Sequence, residues 1–167
     1  LSVSSAASDV YKRQMYHLAG TPTGSYSKAL YRYPQQSFPY QQLRDENRRR
    51  SREEKEYELV DTGIFSSNHF FDVEVEYAKA SPEDVLIRLT ITNQGPDQAP
   101  LHLLPSLWFR NTWSWGDRDH GRPHLRLQGN RLVSDATEGL ASYNLSCSEQ
   151  GHWLFTENET NTDRLYG

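Results

Sequence analysis

The chain has 167 residues, 35% of them hydrophobic, with a net charge of -4 and a mean hydropathy of -0.84, so no basic field is present to attract a polyanion backbone and nucleic-acid binding is not expected. No run of about 18 apolar residues occurs, which excludes a membrane-spanning helix, and the lone Cys147 cannot form an internal disulfide. The 4 Trp, 10 Tyr and 6 Phe, 12% of the chain, are too many for a disordered polar sequence, and the length allows about one domain.

Residues 1–14, LSVSSAASDVYKRQ, are small, polar and aperiodic, without the continuous apolar stretch of a signal peptide. The string SSAASDVYKRQ resembles translated adapter read-through, so these residues are set apart as a non-native tail, and Met15 need not be the natural start. Residues 15–56 are expected to be an irregular and partly helical segment. Tyr16, Tyr26, Tyr31, Tyr33, Phe38 and Tyr40 lie among Gly20, Pro22, Gly24, Pro34 and Pro39, and this Pro and Gly punctuation argues against long regular elements. Pro39 suits the first turn of a short helix. Tyr40, Leu43 and Asn47 then share one face, and the helix is predicted to reach about Arg52. The charged stretch from Arg48 to Glu56 reads as a solvated helix end or loop.

From Tyr57 onward the period changes to two, and residues 57–167 are expected to form a β-sandwich domain. Phe71, Val73, Val75 and Tyr77 alternate with Asp72, Glu74 and Glu76, and Val85, Ile87, Leu89 and Ile91 alternate with Arg88, Thr90 and Thr92. Each run is the pattern of a strand with one wet face. Leu101 to Phe109 is apolar on both faces and reads as a central strand, bent or bulged at Pro105, with His102 in it as a hydrogen-bonded core or face residue. Shorter strands are predicted at Leu125 to Gln128, Ala141 to Ser148 and Trp153 to Glu157. The fold class is therefore mostly β, an antiparallel sandwich with an irregular N-terminal segment and one short helix.

The residues with most chemical potential follow the presumed central strand, in Trp108-Phe109-Arg110-Asn111-Thr112-Trp113-Ser114-Trp115-Gly116-Asp117-Arg118-Asp119-His120. Sugars need this mixture, because aromatic faces cover the C–H patches of a pyranose while Arg, Asn and Asp pair with its hydroxyls. Arg110, Asn111, Trp113 and Trp115 are accordingly the candidate substrate-binding residues, although Trp108 and Phe109 also suit a core and the other tryptophans suit loop anchors. Asp117 and Asp119 are a possible acid and base pair, but two residues apart on one loop they fit solvated or capping roles better. A metal site from His120, His124 and Asp119 is disfavoured because Gly121 and Pro123 break the helix that would align the histidines. The polar stretch from Thr156 to Asp163 suits either an edge that binds hydroxyls or an ordinary loop. No nucleophile elbow, P-loop or dinucleotide fingerprint occurs.

Taken in order, five stretches resemble the N-terminal region of glycoside hydrolase family 63, the bacterial and fungal relatives of mannosyl-oligosaccharide glucosidase. They are TPTGSYSKALYRYPQQSFPY from Thr21 to Tyr40, YELVDTGIF from Tyr57 to Phe65, FFDVEVEYAKASPEDVLIRLTITNQGP from Phe70 to Pro96, LHLLPSLWFRNTWSWG from Leu101 to Gly116, and LFTENETNTDRLYG from Leu154 to Gly167. The resemblance implies a β-sandwich followed by an α/α toroid, with the catalytic Asp and Glu of an inverting α-glucosidase on the toroid. It assigns no catalytic residue within this chain, and it implies neither metal nor organic cofactor. The expected partners are an oligosaccharide substrate and the chain's own toroid, with no nucleic acid and no membrane. This stretch alone is expected to be inactive, and a stand-alone carbohydrate-binding module is the alternative. A single cysteine fits a reducing, cytoplasmic setting.

Overall fold

The computed structural model describes residues 15–113, 122–136, 141–149, 151–157 and 159–167. Among them the mostly β, antiparallel class expected from the sequence is borne out: two antiparallel sheets, with few and short helices. The chain forms two compact units that divide between His102 and Leu103.

The first unit is a four-stranded meander, with β1 (Met15–Gly20), β2 (Tyr26–Pro34), β3 (Phe70–Ser81) and β4 (Asp84–Asn93) in that spatial order. Its register explains the alternation in β3. Tyr31 and Ile91 flank Val73, and Ala29 and Leu89 flank Val75, so one face is apolar across three strands. On the other face Arg32 pairs with Asp72 at 3.0 Å and Arg88 with Glu76 at 2.7 Å, each directly across the ladder. Lys28 pairs diagonally with Glu74, and the Tyr26 hydroxyl donates to Glu76 at 2.8 Å. Opposite charges placed across a ladder add a few tenths of a kcal/mol to about 1 kcal/mol each.

Tyrosine-rich residues 15–34, expected to be irregular, are the two strands β1 and β2. The Gly and Pro residues fall at their ends rather than inside them. Gly20 closes β1, Pro22 and Gly24 lie in the connecting turn, and Pro34 closes β2. Gly24 holds a left-handed φ of 65°, and Thr21 Oγ1 accepts from the backbone N–H groups of Ser25 and Tyr26.

Helix α1 (Tyr40–Arg49) begins after Pro39 as predicted and stops three residues short of Arg52, where Arg50 turns extended. Arg48 and Arg49 in its last turn complement the negative end of the helix dipole. Asn47, on the predicted face, bridges outward. Its Nδ2 donates to the Leu43 carbonyl at 3.0 Å and the Tyr57 carbonyl at 2.9 Å, and its Oδ1 accepts from the Tyr57 N–H at 2.8 Å. A 3-10 turn (Leu59–Thr62) follows, closed at its start by Glu58 and Asp61 bonding reciprocally and at its end by Gly63 at φ 71°.

The core of this unit is Leu59, Ile64, Phe70, Phe71 and Val73. Phe65 meets Phe70 edge-on at 5.6 Å, and the Arg32 guanidinium lies 4.3 Å from the Phe70 ring centre. Burial fades along the hairpin: Phe71 is 4% exposed, whereas Tyr77 and Ile87 at the far end are 48% and 50% exposed.

The second unit holds a three-stranded antiparallel sheet, β5 (Leu125–Gln128), β6 (Arg131–Ser134) and β7 (Asn144–Ser146). The β5–β6 hairpin turns on Gly129-Asn130, with Gly129 at φ 61°, the left-handed backbone that a two-residue turn needs. Leu132, Val133 and Ser134 are buried on β6. Ser134 Oγ accepts from the Tyr143 N–H at 2.7 Å, and the Ser142 hydroxyl donates to the Ser134 carbonyl at 2.6 Å. A last helix, α2 (Thr162–Tyr166), is capped by the Asn161 side chain accepting from Arg164 N–H at 3.0 Å.

The predicted central strand does not form. Residues 101–109 have no regular structure, and His102 is an exposed residue at the end of the first unit rather than a strand residue. Pro105 lacks the N–H that a central ladder requires, and a segment apolar on both faces needs a neighbour strand on each side. Residues 153–157, also expected as a strand, are likewise irregular. No helix among the described residues is long and apolar enough to cross a membrane.

Candidate functional site: an aromatic cleft in the second unit

Within the second unit the irregular segment 103–109 and residues 152–157 border an open cleft of about 950 Å3. Leu107, Trp108, Trp113, Arg122, Trp153 and Glu157 are among the residues that line it. Its lining joins apolar and aromatic side chains to a few polar groups, the mixture that small-molecule sites use. Trp108 stands 72% exposed at this cleft, an arrangement that suits a surface for contact rather than a core residue.

The polar groups converge on Glu159. Its Oε1 accepts from the Trp113 indole N–H at 2.7 Å, and its Oε2 accepts from the Asn111 amide at 2.9 Å. Both donors stabilise the ionised carboxylate and hold its pKa below the ordinary glutamate value, with the Arg122 charge adding to the effect. The Arg122 guanidinium bonds Glu157 and lies 3.9 Å from Glu159. It also stacks 5.8 Å from the Trp113 ring centre. Locally, the Thr112 N–H donates to the Arg110 carbonyl at 2.9 Å, a tight turn that delivers Asn111 and Trp113 to the same carboxylate.

Of the four predicted binding residues, Asn111 and Trp113 are brought together in this way. Arg110 is exposed, and neither Arg110 nor Asn111 is among the residues that line the cleft; of the four, Trp113 is. Trp115 lies outside the described residues, as do Asp117, Asp119 and His120. His124 lines the cleft, and no group of three His, Cys, Asp or Glu that could hold a metal ion occurs among the described residues. Sequence reasoning did not single out Glu159, Glu157 or Arg122. The only trace of the two glutamates was the polar composition of residues 156–163, since nothing local ties Glu159 to a tryptophan 46 positions earlier.

No family model matches the sequence, and no solved structure matches it. The chain is similar to a curated yeast protein, the uncharacterized protein YMR196W of Saccharomyces cerevisiae, with 33% identity over 189 aligned positions. The alignment takes in 93% of this chain but only 17% of the yeast protein.

Proposed function

We propose that this chain is the N-terminal, β-rich part of a glycoside hydrolase of the family 63 α-glucosidase type, and that its second unit supplies part of the rim that holds a gluco-oligosaccharide. The observation that carries the reading is the seating of Trp113, which lines the aromatic cleft, on a carboxylate that also holds Asn111. A flat apolar ring beside oriented amide and carboxylate groups matches a pyranose, which is apolar on its C–H face and polar at its edge. The five stretches that resemble the family support the same reading, and so does the much greater length of the yeast relative, which leaves room for a catalytic domain.

In this reading the catalytic carboxylates belong to the toroid, where one activates water and the other protonates the leaving oxygen. The present residues bind and orient the sugar and take no part in the bond cleavage. Arg110, Asn111, Trp113 and Trp115 are the proposed contact residues, and no cofactor is required.

Titrating the chain with maltotriose, nigerose and kojibiose while following tryptophan emission tests the binding role. A saturable change with a dissociation constant near 1 mM, equivalent to about 4 kcal/mol, is the expected result. A flat response to all three sugars well above that concentration overturns it. Reading the source DNA past Gly167 tests the enzyme assignment: a long continuation with helical periodicity supports the hydrolase, whereas sugar binding together with an immediate stop codon supports a stand-alone binding module.

A further inference from the structure

We propose that Glu159 is the positioning residue of this rim, fixing the Trp113 ring as a stacking platform for a neutral pyranose. The inference rests on the sugar-binding reading above. An indole has one donor, Nε1–H, and tethering that atom sets how far the ring can swing about its two side-chain torsions. Glu159 provides the tether at 2.7 Å with one oxygen and holds the Asn111 amide at 2.9 Å with the other. The two contact groups are thereby fixed relative to each other across 46 and 48 positions of sequence. Rigid aromatic surfaces bind better than mobile ones because less side-chain entropy is lost when the ligand arrives.

The other side of the ring environment is also defined. Arg122 stacks on Trp113 and is itself held by Glu157, so one ring face is already occupied and the proposal places the sugar on the other. Charge selects among sugars here. Arg122 stands between two carboxylates, Glu157 and Glu159, which together outweigh its single positive charge. The net negative charge beside the ring disfavours a uronic acid by repulsion through space and leaves a neutral hexose unaffected. Glu159 acts on the ligand through Trp113 and Asn111 rather than by touching it.

The test is a double-mutant cycle on the full 167-residue chain, with maltotriose as the probe and tryptophan emission as the readout. Glu159→Ala is expected to weaken binding by about 10-fold, the scale of losing hydrogen bonds to a charged group. Glu159→Gln, which keeps one acceptor oxygen, is expected to retain most of the affinity. Adding Glu159→Ala to Trp113→Ala should cause little further loss, because a positioning group has nothing left to position. Acrylamide should also quench the Trp113 component, assigned by difference from Trp113→Phe, more strongly in Glu159→Ala without any sugar present. Wild-type affinity in Glu159→Ala, with Trp113→Ala impaired, overturns the positioning role and leaves the sugar reading intact. No response of the wild-type chain to sugar overturns that reading, and with it this inference, whatever the quenching shows. Should Glu159→Ala fail to fold, Glu159→Gln decides. Loss of binding in Glu159→Gln as deep as in Trp113→Ala would then count against the proposal, as would binding of a glucuronic acid oligomer tighter than maltotriose.

Discussion

Replacing Asn47 by alanine should loosen the first unit although the side chain belongs to a polar and partly exposed helix. Three hydrogen bonds depend on it, at 3.0 Å and 2.9 Å to the carbonyls of Leu43 and Tyr57 and at 2.8 Å from the Tyr57 N–H. A typical protein hydrogen bond contributes a net 0.5–1.5 kcal/mol. The site is only part-buried, so water can satisfy some of the released groups, and the lower half of the summed range applies. The expected loss is about 2 kcal/mol. For a unit of this size that corresponds to a fall in Tm of about 8–16 °C.

The loop that Asn47 clamps has other anchors, and they define how the reasoning can fail. The Tyr57 hydroxyl accepts from Gln42 at 2.8 Å and donates to the Asp61 carbonyl at 3.1 Å, and the Arg50 guanidinium lies 5.1 Å from the Tyr57 ring centre. Thermal unfolding followed by far-ultraviolet circular dichroism gives the total effect, and hydrogen exchange at the Tyr57 amide reports the clamp itself. A melting point within about 2 °C of wild type, with Tyr57 amide protection unchanged, would show that the ring contacts hold residues 50–57 and that Asn47 is dispensable.

Trp113→Ala should weaken maltotriose binding by about 30-fold, the size of a central aromatic contact worth about 2 kcal/mol, with the far-ultraviolet spectrum unchanged. Hydrogen bonds from Arg88 first and Tyr26 second pull the Glu76 carboxyl down from the usual 4.5 to about 2. Because its folded value is the lower one, its contribution is present above about pH 4.5 and is lost as the pH falls toward about 2. Denaturant unfolding across that window should show a shallower pH dependence in Glu76→Gln, and in wild type at high salt, since Arg88 is largely exposed; identical slopes would refute the assignment. Gly63→Ala places a side chain at φ 71° and 3.3 Å from Ser66 Oγ, so a loss of about 1–2 kcal/mol in the same unfolding assay is expected. Phe71→Ala, at a site 4% exposed, should lose about 3–5 kcal/mol, and a loss below 1 kcal/mol would mean that the Phe71 side chain is not packed as the structure has it.

Where regular structure depended on local pattern, the sequence disclosed it well. The β3–β4 hairpin was readable because side-chain period and turn chemistry agree, from Phe71 to Tyr77 and from Val85 to Ile91. Strands β1 and β2 were obscured because a Gly or Pro at the end of a strand looks, in sequence, the same as one that interrupts it. Strand β6 was not anticipated, because Arg131 to Ser134 is buried at three consecutive positions and shows no alternation. The opposite error at Leu101 to Phe109 has a different cause. Apolar content records a demand for burial, while a strand also needs neighbours that accept and donate along the ladder. The β3–β4 hairpin makes the same point within a formed sheet: its alternation persists to Ile87 and Val85, yet both are about half exposed. Pattern identifies the face that seeks cover and says nothing about which residues provide it.

The site divides along the same line. Asn111 and Trp113 were legible as binding chemistry because their neighbours in sequence are also their neighbours in the turn that presents them. Glu159 was not, because its role comes from a fold that returns the chain to Trp113 after 46 residues. The carboxylate there bonds two neutral donors with a guanidinium 3.9 Å away, a combination that any polar loop could contain and that gains meaning only when the partners are known. If Glu159 does hold Trp113 for a sugar, then the affinity of the rim depends on a residue from the closing polar stretch as much as on the tryptophan-rich one. Variants of the two should then behave as one unit in binding, while variants of the first unit, such as Asn47→Ala on helix α1, should lower stability without changing the affinity of the chains that remain folded.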